Sequence, residues 1–187
     1  MDFIKEAGIF LSEFARHRKE VGSIANSSRF LAKKMISDPA FREARRIVEL
    51  GPGLGSITKQ IVRQMHPDAT LKVFETNKNF CEKLREKFAD PRVTILNVSA
   101  CSLSERLPYK ADYIVSGIPL AVLGREEHLF LLREIEKTLD REGVFVQFQY
   151  SLASYRRLKQ FFPSIEILFV PLNIPPAFVY VCRKSDN

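Results

Sequence analysis

From Arg45 onward the chain alternates short β-branched runs with helical patterns: RRIVELG, SITKQIVRQM, TLKVFET, NKNFCEKLREKFAD, VTILNVS, ADYIVSG, REEHLFLLREIEKTLD and GVFVQFQY. Strands separated by helices of this length build βαβ units on a parallel sheet. In the REEHLFLLREIEKTLD stretch, Leu129, Leu132, Ile135 and Leu139 recur at helical spacing and predict a face buried on the sheet. A further helix is expected over SLASYRRLKQFF. The pattern then changes, because SIEILFVPLN and AFVYVCRK are separated only by IPP, too close for a crossover helix, and must pair as an antiparallel hairpin. The expectation is an α/β fold with a seven-stranded, mostly parallel sheet, a C-terminal antiparallel hairpin and an N-terminal helical extension.

A chain of 187 residues, 45% hydrophobic, supplies one core, so residues 1–187 are expected to form a single domain, with N-terminal helices over 1–44 and the catalytic core over 45–187. No apolar run approaches the roughly 20 residues a membrane span needs. MDFIKEAGIF carries acidic residues and no small-residue cleavage site, so a cytoplasmic location is expected. Cys81, Cys101 and Cys182 lack CxxC spacing and read as reduced, space-filling thiols, with no metal site. The net charge of +7 concentrates in RHRK at 16–19 and in Arg29, Lys33, Lys34, Arg42, Arg45 and Arg46, which favours a polyanionic partner, either nucleic acid or anionic lipid.

An open parallel sheet binds its ligand outside the carboxyl ends of its strands, where the turn in IVELGPGLGSITK lies. Gly55 is followed by Ser56 and Ile57, not by the Lys and Ser or Thr of a phosphate-cradling P-loop, which excludes that ATP site. Gly51, Gly53 and Gly55 approximate a dinucleotide fingerprint, with Ser56 in its sixth place. Glu75, twenty residues beyond Gly55, can accept two hydrogen bonds from a ribose diol. That suits NAD or an adenosine-bearing methyl donor alike.

The assembled run Glu49-Leu50-Gly51-Pro52-Gly53-Leu54-Gly55, followed by Glu75, resembles the class I S-adenosylmethionine-dependent methyltransferases, a Rossmann-like family whose sheet ends in such a hairpin. A closer resemblance covers nearly the whole chain. Phe14-Ala15-Arg16 with VGSIANSSRFLAKKM, then SGIPL at 116–120, FVQFQYSL at 145–152 and NIPPAFVY at 173–180, is similar to the bacterial phospholipid N-methyltransferases, which act on phosphatidylethanolamine. The resemblance implies S-adenosylmethionine bound by Ser23, Ile24, Glu49, Gly51, Pro52, Gly53, Gly55, Glu75, Thr76, Ser99, Ala100 and Ser116. Two positions depart from the family: Asn26 replaces a common proline, and Ser99 stands where a carboxylate usually meets the adenine amine, implying weaker or water-mediated adenine contact.

The remaining expectations concern the acceptor. In DFIKEAGIFLSEFARHRK, Phe3, Ala7, Phe10 and Phe14 share a helical face with Ile4 and Leu11 beside it. Such a helix can lie at a membrane interface or pack on the protein's own core. Gly22 permits a tight turn, Asn26 or Ser27 can cap a helix from about Ser28 to Ile36 that covers the donor, and Arg29 can meet a lipid phosphate. In ribosomal RNA adenine dimethylases, to which this domain is also similar, an N-P-P-[YF]-type run clamps the target base. Ser116-Gly117-Ile118-Pro119 lacks the Asn or Asp and the stacking aromatic, which disfavours base methylation. Ser116, Gly117 and Tyr150 are the catalytic candidates that orient an amine, and Arg29, Pro119, Leu120, Tyr150 and Phe178 the substrate-binding ones. His128 reads as structural. An uncharged amine would attack the donor's methyl in line, with positioning and electrostatics supplying most of the acceleration and no metal required. An RNA, DNA or small-molecule amine methyltransferase, or an inactive donor-binding protein, are the alternatives.

Overall fold

The computed structural model describes residues 23–120 and 123–184, without the side chains of residues 23–28. The amphipathic stretch containing Phe3, Ala7, Phe10 and Phe14 lies outside the described residues. Among those described, α1 (Ser23–Met35) and the single turn α2 (Ala40–Glu43) precede β1 (Arg46–Leu50). The expected start of α1 near Ser28 is corrected: it begins at Ser23, so Asn26 and Ser27 lie inside the helix. Strand and helix then alternate through α3 (Ser56–Gln64), β2 (Thr70–Phe74), α4 (Lys78–Lys87) and β3 (Val93–Leu96). α4 starts where it does because Asn77 accepts hydrogen bonds from the Asn79 and Phe80 amides at 3.0 and 3.2 Å. A 3-10 turn (Ala100–Ser102) and α5 (Leu103–Arg106) lead into β4 (Ala111–Ser116), α6 (Arg125–Thr138) and β5 (Leu139–Gln149).

The helix expected over SLASYRRLKQFF shrinks to α7 (Tyr155–Leu158). Leu158 and Phe162 are both fully buried, which draws the chain onto the core. Pro163 then restricts the residue before it to extended conformations. β6 (Ser164–Val170) and β7 (Ala177–Arg183) pair antiparallel, as the missing crossover helix required. The sheet has seven strands in the order β3-β2-β1-β4-β5-β7-β6, with β7 antiparallel to both neighbours. The order reverses between β1 and β4, so the loops that leave these two strands open side by side at the carboxyl edge.

Helices cover both faces. α1 to α4 contribute Leu31, Met35, Phe41, Ile61 and Leu84 to one core layer, and α5 to α7 contribute Leu103, Leu132, Ile135 and Leu158 to the other. On α6 the buried apolar residues are Leu131, Leu132 and Ile135, whereas Leu139 already belongs to β5. Cys81 and Cys182 are buried free thiols and Cys101 is a half-buried one. The Tyr113 hydroxyl donates to the Met35 carbonyl at 3.0 Å and fastens the end of α1 to β4.

Asp112 sets the relative position of β1 and β4. It accepts from the Arg45 and Arg46 amides, each at 2.9 Å, and from the Arg46 guanidinium. Burial works to raise its pKa, but the bonds from Arg46 and the two amides outweigh that and hold it below its ordinary value. Because its folded pKa is depressed, its stabilisation is present above the ordinary carboxylate range and disappears as pH falls through the folded pKa. Asp112→Ala is expected to cost about 1–2 kcal/mol near neutral pH, mostly from the amide bonds because solvent screens the guanidinium. Denaturant titration should show that difference closing under acid conditions.

Candidate active site at the carboxyl edge

β1 ends at Leu50 and the chain enters the glycine turn, where the Gly51 amide donates to Phe74 of β2 at 2.9 Å. On its other side the turn touches the loop that follows β4. The Gly117 amide donates to the Leu50 carbonyl at 2.7 Å. A Cβ on Gly117 would lie 2.6 Å from the Gly51 carbonyl oxygen, and a Cβ on Gly51, whose φ is +65°, would lie 2.9 Å from Ile118 Cγ1. Two backbones meet here at a distance that only glycine permits.

A cleft of about 200 Å³ opens beside this contact, and Gly51, Glu75, Thr76, Ser99 and Ala100 all line it. Sequence reasoning had placed each of them at the donor. Glu75, almost fully buried at the end of β2, accepts from the Asn77 amide at 2.8 Å and the Gly53 amide at 3.3 Å, so its carboxylate is held between the glycine turn and α4. Ser99 caps the following 3-10 turn, accepting from the Cys101 amide at 3.2 Å. Phe74, Val98, Ile118 and Leu131 supply apolar walls. Pockets that enclose a whole cofactor are usually larger, so this cleft can take the nucleoside portion while the rest of a donor follows the glycine turn. A separate cavity of about 260 Å³ lies at the opposite edge around Asp38, Arg141 and Arg183 and contains none of the predicted site residues.

Glu49 is fully buried behind the turn, and it is not among the residues that line the cleft. Among the described residues, neither carboxylate oxygen meets a hydrogen-bond partner. Thr58 lies near enough to restrain its pKa without making a hydrogen bond of good geometry. Desolvation dominates and, with the charge on Glu75 adding to it, pushes the Glu49 pKa up to about 8. An enclosed carboxylate with unused acceptors beside a ligand cleft fits a ligand that carries an ammonium group. The residues present therefore fit an amino-acid-bearing nucleoside donor: Glu75 and Thr76, which line the cleft, would hold the ribose, and Glu49, behind the turn, would face the amino group.

On the acceptor side, Ser116 is the buried last residue of β4, and its hydroxyl accepts from the Ile118 amide at 3.2 Å, shaping the loop. Pro119 is exposed, whereas Leu120 is buried in the core beneath the loop and supports it from below. Tyr150, just past β5, stacks edge-on to Phe148 with ring centroids 5.6 Å apart and packs towards the layer of α1 to α4. Phe178 packs towards the other layer, with its ring 5.3 Å from Phe169, so the two aromatics are not brought together. Arg29 is exposed on α1. The side chains of Ser23 and Ile24 lie outside the described residues. Pro52, Gly53 and Gly55 belong to the turn and do not line the cleft.

Three polar residues at the site escaped sequence reasoning. Gln147, fully buried on β5, donates to the Ile118 carbonyl at 2.9 Å and leaves its own side-chain oxygen unpartnered. The signal was a glutamine inside the apolar run FVQF. Asn97 donates to the Glu75 and Thr76 carbonyls at 3.0 and 2.9 Å, joining the ends of β2 and β3 under the cleft. Glu127, in the first turn of α6, brings a second carboxylate to the cleft wall, where Ser99 has none. His128 is buried 3.0 Å from Arg157, and burial followed by the Arg157 charge lowers its pKa to about 4, so it stays neutral.

The family model for ribosomal RNA adenine dimethylase matches residues 15–111, over half of the chain. The ornithine lipid N-methyltransferase of Singulisphaera acidiphila is 33% identical over 96% of this chain and 97% of its own length. The ribosomal RNA small subunit methyltransferase A of Aromatoleum aromaticum is 29% identical over 58% of this chain but only 37% of its own length. Among solved structures, the N-methyltransferase NodS of Bradyrhizobium japonicum superposes with a TM-score of 0.67 at 11% identity, covering 86% of this chain and 98% of that one. The SAM-bound magnesium protoporphyrin IX methyltransferase of Synechocystis PCC 6803 gives 0.64 at 13% identity, covering 86% and 80%. These two likenesses establish the Rossmann-like fold.

The Glu49 pKa, raised from 4.5 to about 8, makes folding less favourable as pH climbs through that interval, because the unfolded chain ionises first. Glu49→Gln is expected to stabilise the ligand-free protein by on the order of 1–2 kcal/mol at about pH 8, with the gain vanishing towards about pH 4. Thermal melts of both proteins across that range measure it.

Proposed function

Because this chain belongs to the ribosomal RNA adenine dimethylase family of methyltransferases, we propose that it is an N-methyltransferase whose acceptor is the amine of a membrane lipid. Its methyl donor is S-adenosylmethionine, which supplies an electrophilic methyl group on a sulfonium. The observation that carries the lipid reading is the span of the relatives. The likeness to a lipid N-methyltransferase runs through both chains nearly end to end, while the chain spans about a third of the RNA methyltransferases it matches. The residues agree, since the loop from Ser116 to Leu120 offers neither the Asn or Asp nor the aromatic that would clamp a flipped base.

Within this reading the chain's own groups have separate tasks. Glu75 and Thr76 orient the ribose, and Glu49 neutralises the donor's ammonium inside the fold. The Gly51–Gly117 contact sets the donor turn against the acceptor loop, and Gln147 fixes that loop through the Ile118 carbonyl. Transfer forms an N–C bond as the S–C bond breaks, so the lipid amine must arrive uncharged, having lost a proton to water or a side chain. The carbonyls around Ser116 and Gly117 and the Tyr150 hydroxyl are the candidates that aim its lone pair. Tyrosine's ordinary pKa near 10 suits it to orienting the amine better than to removing its proton.

Phosphatidylethanolamine and ornithine lipid are the two headgroups to test. Incubation with labelled S-adenosylmethionine and anionic vesicles of either lipid, with ribosomal RNA in parallel, is expected to label lipid. Gly53→Asp, which forces a side chain onto a residue with φ of +55° and a carboxylate beside Glu75, is expected to reduce labelling at least about tenfold. Label in RNA alone would overturn the lipid reading.

A further inference from the structure

The carboxyl edge carries a second feature, one that donor chemistry does not explain. β5 and β6 both end there, and the segment after β5 lies beside the β6–β7 turn because Gln149 pairs with Phe178 and Phe178 with Phe169. Four large apolar side chains face solvent on this corner: Leu152 is 50% exposed, Phe169 55%, Leu172 62% and Ile174 60%. The turn that presents two of them is firmly built. Asn173, between Leu172 and Ile174, is itself buried, its amide donating to the Val170 carbonyl at 3.3 Å and its side chain to the Pro175 carbonyl at 2.6 Å. Tucking the polar residue inward turns its two aliphatic neighbours out. The Tyr180 hydroxyl holds the adjoining segment by donating to the Ser151 carbonyl at 3.1 Å.

We propose that this corner is a membrane-contact surface, with Leu172, Ile174, Leu152 and Phe169 entering the acyl region of an anionic bilayer. The assignment rests on the lipid-acceptor reading. A lipid amine reaches the acceptor loop with its acyl chains still in the bilayer only if protein surface on the same edge of the sheet faces the membrane. The apolar residues sit on that edge, spread over two loops and the end of β6, which suits a fluid surface better than a shaped protein partner. Charge agrees with it. α1 packs on β5, β6 and β7, the strands that meet at this corner, and exposes Arg29 and Lys33, cations that favour anionic headgroups.

The chain contains no tryptophan, so a single one reports its own surroundings. Leu172→Trp places it on the corner, and Asp68→Trp places it in the exposed turn before β2, at the opposite edge. Each full-length protein is mixed with vesicles of phosphatidylethanolamine and phosphatidylglycerol that carry brominated acyl chains. The Leu172→Trp emission is expected to shift to the blue and be quenched several-fold, with Asp68→Trp unchanged. Leu172→Asp with Ile174→Asp, at two exposed positions, is expected to lower vesicle co-sedimentation about tenfold. An unquenched Leu172→Trp on protein that sediments with the vesicles overturns the proposal, and so does protein that stays in the supernatant. Methyl transfer to detergent-dispersed lipid is read separately. Transfer with an unquenched corner removes the surface and keeps the acceptor, whereas quenching without transfer keeps the surface and removes the acceptor.

Discussion

A carboxylate is enclosed at the end of β1 with no hydrogen-bond partner of good geometry among the described residues, and the carboxyl edge is organised around it. Left alone, Glu49 is held largely protonated by desolvation, so the ligand-free fold carries a polar group that destabilises it. The glycine turn beside it spends its Gly53 amide on Glu75. The partner proposed for it is an ammonium-bearing donor, whose binding would turn the stability given up by the ligand-free fold into affinity.

The donor and acceptor sides are coupled by one backbone contact, Gly51 against Gly117, and by one side chain, Gln147, which reaches from β5 to the Ile118 carbonyl. The sheet order makes the contact unavoidable, because β1 and β4 are neighbours at the point where the order reverses. Asp112 fixes the same pair at its other end through both amides that open β1. The reactive region is therefore positioned by central strands, while the residues that would choose the acceptor sit in the loops beyond β4 and β5. Such a division would let one donor site serve different acceptors, since changes in those loops leave the strands untouched.

What was legible in the sequence follows from what is local. The seven strands, the terminal hairpin and the residues around the cleft could be read because strand alternation, turn glycines and strand-end carboxylates are signals carried by neighbouring residues. The helix expected over SLASYRRLKQFF was lost to a tertiary effect, with Leu158 and Phe162 pulled into the core ahead of Pro163. The early start of α1 escaped because Asn26 and Ser27 are good caps that the helix simply runs through. Gln147, Asn97 and Glu127 act across distances that no sequence window spans: one side chain braces a loop from another strand, one joins two strand ends, and one approaches the cleft from the opposite helix. Tyr150 and Phe178 were both expected at the acceptor, but the sheet turns them towards different layers.

The buried acid gives the account its most direct test. Calorimetric titration with S-adenosylmethionine, repeated in buffers of different ionisation enthalpy, counts the protons exchanged on binding. If the donor's ammonium becomes the partner of Glu49, whose pKa before binding is about 8, close to one proton should be released per donor near neutral pH. The release should fade above about pH 9 and be absent in Glu49→Gln. Binding of comparable strength with no proton released, and unchanged in that variant, would contradict the central role given to this carboxylate.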